Sequence, residues 1–153
     1  MEIHIRNAEI DDYKTVEAIM KQAQQLHINW RPDIYKYSEV VLPLDIYEQA
    51  VNDKTFFVAE CGEHVAGILF IQYRHIENPV QVTRNIIFID SMAVDENYRG
   101  RGIGHAFFDF LKELKEQTGC DGIELTVNAR NEAARKIYTD CGFTEKSITM
   151  ELM

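Results

Sequence analysis

The run Ile86-Ile87-Phe88-Ile89-Asp90-Ser91-Met92-Ala93-Val94 leads into Arg99-Gly100-Arg101-Gly102-Ile103-Gly104, where an amphipathic stretch from Ile103 to Leu114 begins. A strand, a glycine-rich turn and a helix N-terminus in that order restrict the chain to a few architectures. Successive backbone N–H groups converge at such a turn, the helix dipole favours anions, and glycines let the main chain approach a ligand closely. The segment predicts a pyrophosphate cradle and hence a phosphorylated cofactor.

The surrounding pattern is α/β. Ile3 and Ile5 alternate with polar residues as in a short first strand. Val16, Ile19, Met20 and Ala23 recur at helical spacing between Asp11 or Asp12, a good N-cap type, and about Leu26. A shorter helix is expected from Pro43 to about Val51. Runs over 55–61 and 64–73, joined by Gly62-Glu63, predict a hairpin, and residues 76–81 with Asn78-Pro79 predict a loop. Thr83 to Val94 reads as a long strand covered on both faces. A helix from Gly102 to about Thr118, a strand over 123–127, a helix from about Asn131 to Cys141 and a final strand or two over 143–152 complete the order. Strands alternating with helices in the second half suggest a parallel portion within a mixed sheet. With no repeat or linker, residues 1–153 are expected to form a single domain.

Charge excludes some functions. Sixteen Lys and Arg against twenty-five Asp and Glu give a net charge of −9, which opposes a broad nucleic-acid surface built on phosphate neutralisation. A polyanionic cofactor must then be held by local positive charge, which Arg99 and Arg101 supply. No stretch approaches the roughly 20 apolar residues of a membrane span, so no membrane partner is expected. The first residues lack a signal-peptide pattern, and Cys61, Cys120 and Cys141 have no paired spacing, so a cytoplasmic protein with reduced thiols is expected. His4, His27, His64, His75 and His105 are scattered without ligand spacing, and no metal is expected.

Three glycine-rich cradles compete for Arg99–Gly104. A P-loop needs a Lys followed by Ser or Thr after its last glycine, whereas His105 follows Gly104. A dinucleotide fingerprint belongs near the start of a βαβ unit with GxGxxG spacing, whereas this one is GxGxG and lies two-thirds along the chain. An acyl-coenzyme A cradle has Arg or Gln, two residues, Gly, one residue, then Gly or Ala; Arg99-x-x-Gly102-x-Gly104 matches it. A second segment, Asn131-Glu132-Ala133-Ala134-Arg135-Lys136-Ile137-Tyr138-Thr139-Asp140-Cys141-Gly142-Phe143, follows downstream. Asn131, Ala134 and Tyr138 share one helical face there, with a small residue between two polar ones. Taken singly, Asn131 is also an ordinary N-cap and Tyr138 an ordinary core-edge tyrosine.

On these two motifs the chain resembles the GNAT superfamily of acetyl-CoA-dependent N-acetyltransferases. The resemblance implies an α/β (α+β) fold with a mixed, splayed central sheet flanked by about four helices, and acetyl-CoA as cosubstrate. It implies that the backbone of Met92, Ala93 and Val94 pairs with the pantetheine arm. By the same resemblance, amides from Arg99 through Gly100, Arg101, Gly102, Ile103 and Gly104, with His105, take the pyrophosphate. Asn131 and Ala134 then line the other side of the arm, and Tyr138 points at the thioester sulfur. The resemblance also allows a homodimer through the C-terminal strand.

Acetyl transfer to an amine needs a neutral nitrogen, a donor for the oxyanion and a proton for the departing thiolate. An alkylammonium with a pKa near ~10.4 must first lose a proton, which costs roughly 4–5 kcal/mol at pH 7. Tyr138 is the candidate acid. Asp90, the acidic residue inside the apolar run, is the candidate base, through a bridging water because aspartate is short; the alternative is that it only shapes the site. Trp30 and Tyr35, in a segment with His27, Tyr37, Arg31, Asp33 and Glu39, are candidates for the acceptor wall or, equally, for core cover or a dimer contact. The expected reaction is direct transfer to a primary amine of a small molecule or peptide. Its rivals are an acyl-CoA-binding regulatory module without catalysis and an acetyltransferase acting on protein N-termini or lysines.

Overall fold

Five strands, β1 (Ile3–Asn7), β2 (Phe56–Cys61), β3 (His64–Asn78), β4 (Gln81–Val94) and β5 (Gly122–Leu125), lie side by side in chain order in one sheet. The computed structural model describes residues 2–153. The first four strands pair antiparallel, and β5 joins β4 in parallel. Helices α1 (Tyr13–Trp30) and α2 (Leu44–Asp53) precede β2; α3 (Ile103–Thr118) and α4 (Glu132–Asp140) flank β5 in sequence. The mixed sheet with four helices agrees with the architecture expected above.

Each face of the sheet has its own core. On one face Leu69, Ile71, Ile87 and Ile89 pack against Ile103, Phe107, Phe108 and Leu111, which recur along one stripe of α3. On the other, Phe56, Val58 and Ile68 meet Val16 and Ile19 of α1 and Tyr47 and Ala50 of α2. Gly67 permits this fit: a Cβ there would stand 3.0 Å from both Ile103 Cγ2 and Phe107 Cε2 and 3.3 Å from the Ala93 carbonyl oxygen. Gly67→Val is therefore expected to destabilise the protein by at least about 1–3 kcal/mol through overpacking, measured as a lower urea midpoint at unchanged slope.

Tertiary pairing moved several boundaries. The expected loop over 76–81 is instead the tip of a long hairpin, with Asn78 opposite Gln81 across Pro79-Val80. Helix α1 runs on to Trp30, and Asp12 does not cap it through its side chain. The Asp12 carboxylate instead accepts two Arg6 N–H bonds at 2.8 and 2.9 Å and the Glu9 N–H at 2.8 Å, tying the turn before α1 to β1. The expected final strand over 143–152 does not form. Residues 143–153 carry no ladder, because a strand exists only where its backbone has a partner.

Two irregularities shape the end of the sheet. The β3–β4 register slips so that Phe70 faces Ser91 while Ile71 faces Ile89, leaving Asp90 as the extra residue of a bulge. The β4–β5 pairing stops at Ile89 and Leu125, while β4 continues to Val94. Past that point the β5-facing side of β4 has no strand against it, and the two parallel strands separate.

Candidate active site

The gap left by β4 and β5 opens into a cavity of about 630 Å³. Its walls come from four places: Met92, Ala93 and Val94 at the free end of β4; the turn into α3; Asn131, Ala134, Ile137 and Tyr138 on α4; and Ala23, Leu26, His27 and Trp30 on α1. Residues distant in sequence thus converge because β4 leads into α3 and β5 into α4 on the same side of the gap.

The turn presents its backbone to this space. Gly100 and Gly102 hold φ of +76° and +87°, in the left-handed region where a side chain is strained. Gly102 stands before the first residue of α3 and its carbonyl accepts the Ala106 N–H at 3.0 Å, so the N–H groups of the first turn have no acceptor inside the helix. No heavy atom lies within 4 Å of where a Cβ would stand on Gly100, Gly102 or Gly104. Unclaimed donors around open space, beside Arg99 and next to Arg101, whose guanidinium carbon lies 5.1 Å from the Tyr98 ring centre, fit a diphosphate. Among the residues expected to hold a cofactor, Met92, Ala93, Val94, Arg99, Gly100, Gly102, Ile103, Gly104, His105, Asn131 and Ala134 all line the cavity; Arg101 sits in the same turn outside the lining.

Asn131 has a structural duty as well: its Oδ1 accepts the Ala134 N–H at 3.1 Å and caps α4. Tyr138 stands edge-on to Phe108, ring centres 5.6 Å apart, with Phe143 at 5.9 Å. Burial pushes its phenol above the ordinary tyrosine value, so it keeps its proton at neutral pH. Among the described residues the Tyr138 hydroxyl has no hydrogen-bond partner, and the side chain lines the cavity.

Asp90 lies elsewhere. It is exposed at the bulge, outside the cavity lining, and accepts hydrogen bonds from Gln72 Nε2 at 2.8 Å and Ser91 Oγ at 3.0 Å. Its carboxylate is exposed: Asp90 follows buried Ile89 in the alternation of the strand and stands unpaired at the register slip. Trp30 does reach the cavity; Tyr35 stands behind it, its ring centre 4.8 Å from that of His27. The loop carrying Tyr35 is anchored by Glu17, whose carboxylate accepts the Val41 and Leu42 N–H groups at 2.7 and 2.9 Å.

Sequence reasoning named His27 only as a loop neighbour, yet it lines the cavity between Trp30 and Tyr35. Its Nδ1 is buried without a partner, and burial pulls the imidazole below its ordinary value. Protonation would place an unpaired N–H at this buried Nδ1, so His27 is neutral at pH 7. A histidine whose pKa falls on folding binds its proton more tightly in the unfolded chain, so His27 costs stability as pH drops through its ordinary range towards its folded value. In an NMR titration His27 is expected to titrate below free imidazole. Exposed His75, hydrogen-bonded to Asn85 and Glu77, is expected to titrate above it. Ala23, Leu26, Tyr98 and Ile137 were likewise missed; none matches a motif position, and tertiary packing brings them to the cavity.

Among the described residues no cluster of His, Cys, Asp or Glu is placed to hold a metal ion, and no helix is long and apolar enough to cross a membrane.

Comparison with known proteins supplies the family. The acetyltransferase (GNAT) family model matches residues 20–143. Glucosamine 6-phosphate N-acetyltransferase 1 of Dictyostelium discoideum is 27% identical over 153 residues, covering 98% of this chain and 90% of that protein. The ribosomal protein bS18-alanine N-acetyltransferase of Escherichia coli is 27% identical over 122 residues, covering 80% of this chain and 74% of that one. In fold, a mutant of the BH1408 protein from Bacillus halodurans superposes with a TM-score of 0.92 at 28% identity, covering 98% of both chains. An aminoglycoside N-acetyltransferase solved in complex with CoA shares the fold at a TM-score of 0.71 and 14% identity, with 98% of both chains covered. A family match that spans most of the chain and includes both the turn and the tyrosine helix leaves one assignment: the chain belongs to the acetyltransferase (GNAT) family and is an N-acetyltransferase.

Proposed function

We propose that this enzyme moves the acetyl group of acetyl-CoA directly to a primary amine of a small molecule or peptide while both are bound. The observation that carries this reading is the single cavity joining the diphosphate-sized turn, the free end of β4 and Tyr138. The turn from Arg99 to His105 holds the diphosphate, the β4 end with Asn131 and Ala134 holds the pantetheine arm, and the thioester supplies an activated acetyl group.

Tyr138 keeps a proton within the cavity and hands it to the departing sulfur. Among the described residues the cavity lining holds no carboxylate to take the proton of the acceptor ammonium, which leaves through water. Asp90, exposed and already bonded to Gln72 and Ser91, is at most the far end of that water path. Asp90→Asn is accordingly expected to lower kcat less than about tenfold, below the 10²–10⁴ of a positioned base; a larger loss would place the carboxylate in the chemistry. The α1 side of the cavity, Ala23, Leu26, neutral His27 and Trp30, offers the acceptor an apolar and aromatic wall. The relatives named for glucosamine 6-phosphate and for an alanine of a ribosomal protein span both small-molecule and protein amines, and both classes belong in the acceptor panel.

The test is thiol release with acetyl-CoA and a panel of small amines and peptides. Turnover on at least one amine is expected. Tight CoA binding with no turnover on any amine would instead favour an acyl-CoA-binding regulatory module.

A further inference from the structure

His27 stands in the α1 wall of the cavity beside Leu26 and Trp30, and its surroundings decide what it can offer a ligand. Its ring lies edge-on to Trp30 at 5.7 Å between centres and is tilted by 33° against that of Tyr35 at 4.8 Å. Both neighbours are held. The Trp30 carbonyl accepts from Arg130 Nη1 at 2.6 Å, and the Tyr35 N–H donates to the Arg31 carbonyl at 2.9 Å. The imidazole is thus fixed before any ligand arrives, which is what a residue that reads a ligand requires.

Among the described residues neither ring nitrogen has a hydrogen-bond partner, but the two differ in access. Nδ1 is sealed inside the protein, whereas Nε2 keeps open space beside it. A neutral imidazole carries one N–H and one bare lone pair. With the proton on Nδ1, a donor would be buried unpaired. With it on Nε2, the donor can reach water or a ligand and only a lone pair is buried. An orphaned N–H is the rarer of the two in folded proteins, so the second tautomer is the one the packing selects. His27 therefore presents a fixed, uncharged donor at Nε2.

The chemistry of the transfer limits what that donor can meet. The nucleophilic nitrogen of the acceptor needs its lone pair for the thioester carbonyl carbon, so Nε2–H serves a different atom. A second ammonium is itself all donor. Among the described residues the lining holds no carboxylate to pair one, and an unpaired ammonium beside Leu26, Trp30 and Ile137 is costly. An oxygen with a free lone pair suits both the donor and the apolar wall around it.

We propose that His27 is a specificity residue whose Nε2–H donates to an oxygen of the acceptor. The enzyme then takes amines that also carry a hydroxyl, carbonyl or carboxylate oxygen and discriminates against plain alkylamines and diamines. This rests on the amine-transfer reading above and names the acceptor class for it.

The test compares kcat/KM for ω-amino alcohols and ω-amino acids with the alkylamines in which methyl replaces the oxygen group and the diamines in which ammonium replaces it, over several chain lengths. The best oxygen-bearing amine is expected to exceed its methyl counterpart at least about tenfold. Equal values across the set would overturn the proposal and leave amine transfer intact; no turnover on any amine would remove both. His27→Phe is expected to abolish the preference. His27→Gln, which keeps an N–H near the position of Nε2, is expected to retain it, a split that packing alone would not produce. A His27→Phe protein changed only in acetyl-CoA affinity would give the donor to the cofactor and overturn the proposal. Nitrogen NMR of the wild-type protein at neutral pH reads the tautomer without any variant: the unprotonated nitrogen of His27 is expected at Nδ1, and a proton found there would refute the assignment.

Discussion

Tyr138→Phe is expected to lower kcat by about 10²- to 10⁴-fold, the range that loss of a positioned proton donor costs. The substitution keeps the ring that packs edge-on against Phe108 and near Phe143, so the α3–α4 contact survives. It also strands no partner, because the hydroxyl makes no hydrogen bond within the described protein; unfolding free energy is expected to stay within about 0.5 kcal/mol. The effect should thus appear in turnover and not in acetyl-CoA affinity. A pH profile separates the donor from a merely space-filling ring. Burial raises the phenol above its ordinary value, so the wild-type rate is expected to fall only at alkaline pH, as the hydroxyl ionises, and Tyr138→Phe to lack that limb. Wild-type turnover in the variant would remove Tyr138 from the chemistry.

Gly104→Val is the second large effect, and it isolates binding from folding. Gly104 has no positive φ and no heavy atom within 4 Å of a would-be Cβ, so a side chain there strains nothing and enters only the space in front of the turn. Affinity for coenzyme A is expected to fall about 100-fold, about 2.7 kcal/mol, while the urea midpoint does not fall. Gly102→Val meets the same open space but at φ +87°, and is expected to add a backbone cost of about 1–3 kcal/mol to the same loss of binding. Calorimetric titration with coenzyme A beside urea unfolding reads both quantities. Unchanged affinity in Gly104→Val would mean that the diphosphate does not sit against this turn.

Much of the fold could be read in advance because the signals are local. Val16 and Ile19 on α1 and the Ile103, Phe107, Phe108, Leu111 stripe of α3 follow from helical periodicity, and both stripes are buried. Arg99–Gly104 needs only its own glycines and the helix behind it, and Asn131, Ala134 and Tyr138 need only one helix. Those residues are also where the cavity is.

Other features depend on pairing across the chain. The hairpin tip at Pro79-Val80 looked like a loop because Asn and Pro are turn formers, yet long flanking strands hold its two sides together up to Asn78 and Gln81. Asp90 sits in an apolar run, and which face of β4 it occupies and its unpaired place in the ladder are fixed only by the register of β4 against β3. His27 looked like a residue of the segment after the first helix, and only the meeting of α1 with the cavity and with Tyr35 makes it a neutral wall of the site.

The amino-acid order by itself determined the helices, the glycine-rich turn before α3 and the tyrosine face, because periodicity, capping and glycine conformations are set by residues a few positions apart. Tertiary structure alone decided where β4 and β5 part, which way Asp90 points, which residues of α1 wall the cavity, and that the strand pattern at the C-terminus has no partner in its own chain. Those outcomes rest on backbone hydrogen bonds between segments distant in sequence, and a hydrogen bond of that kind belongs to two segments at once and is written in neither alone.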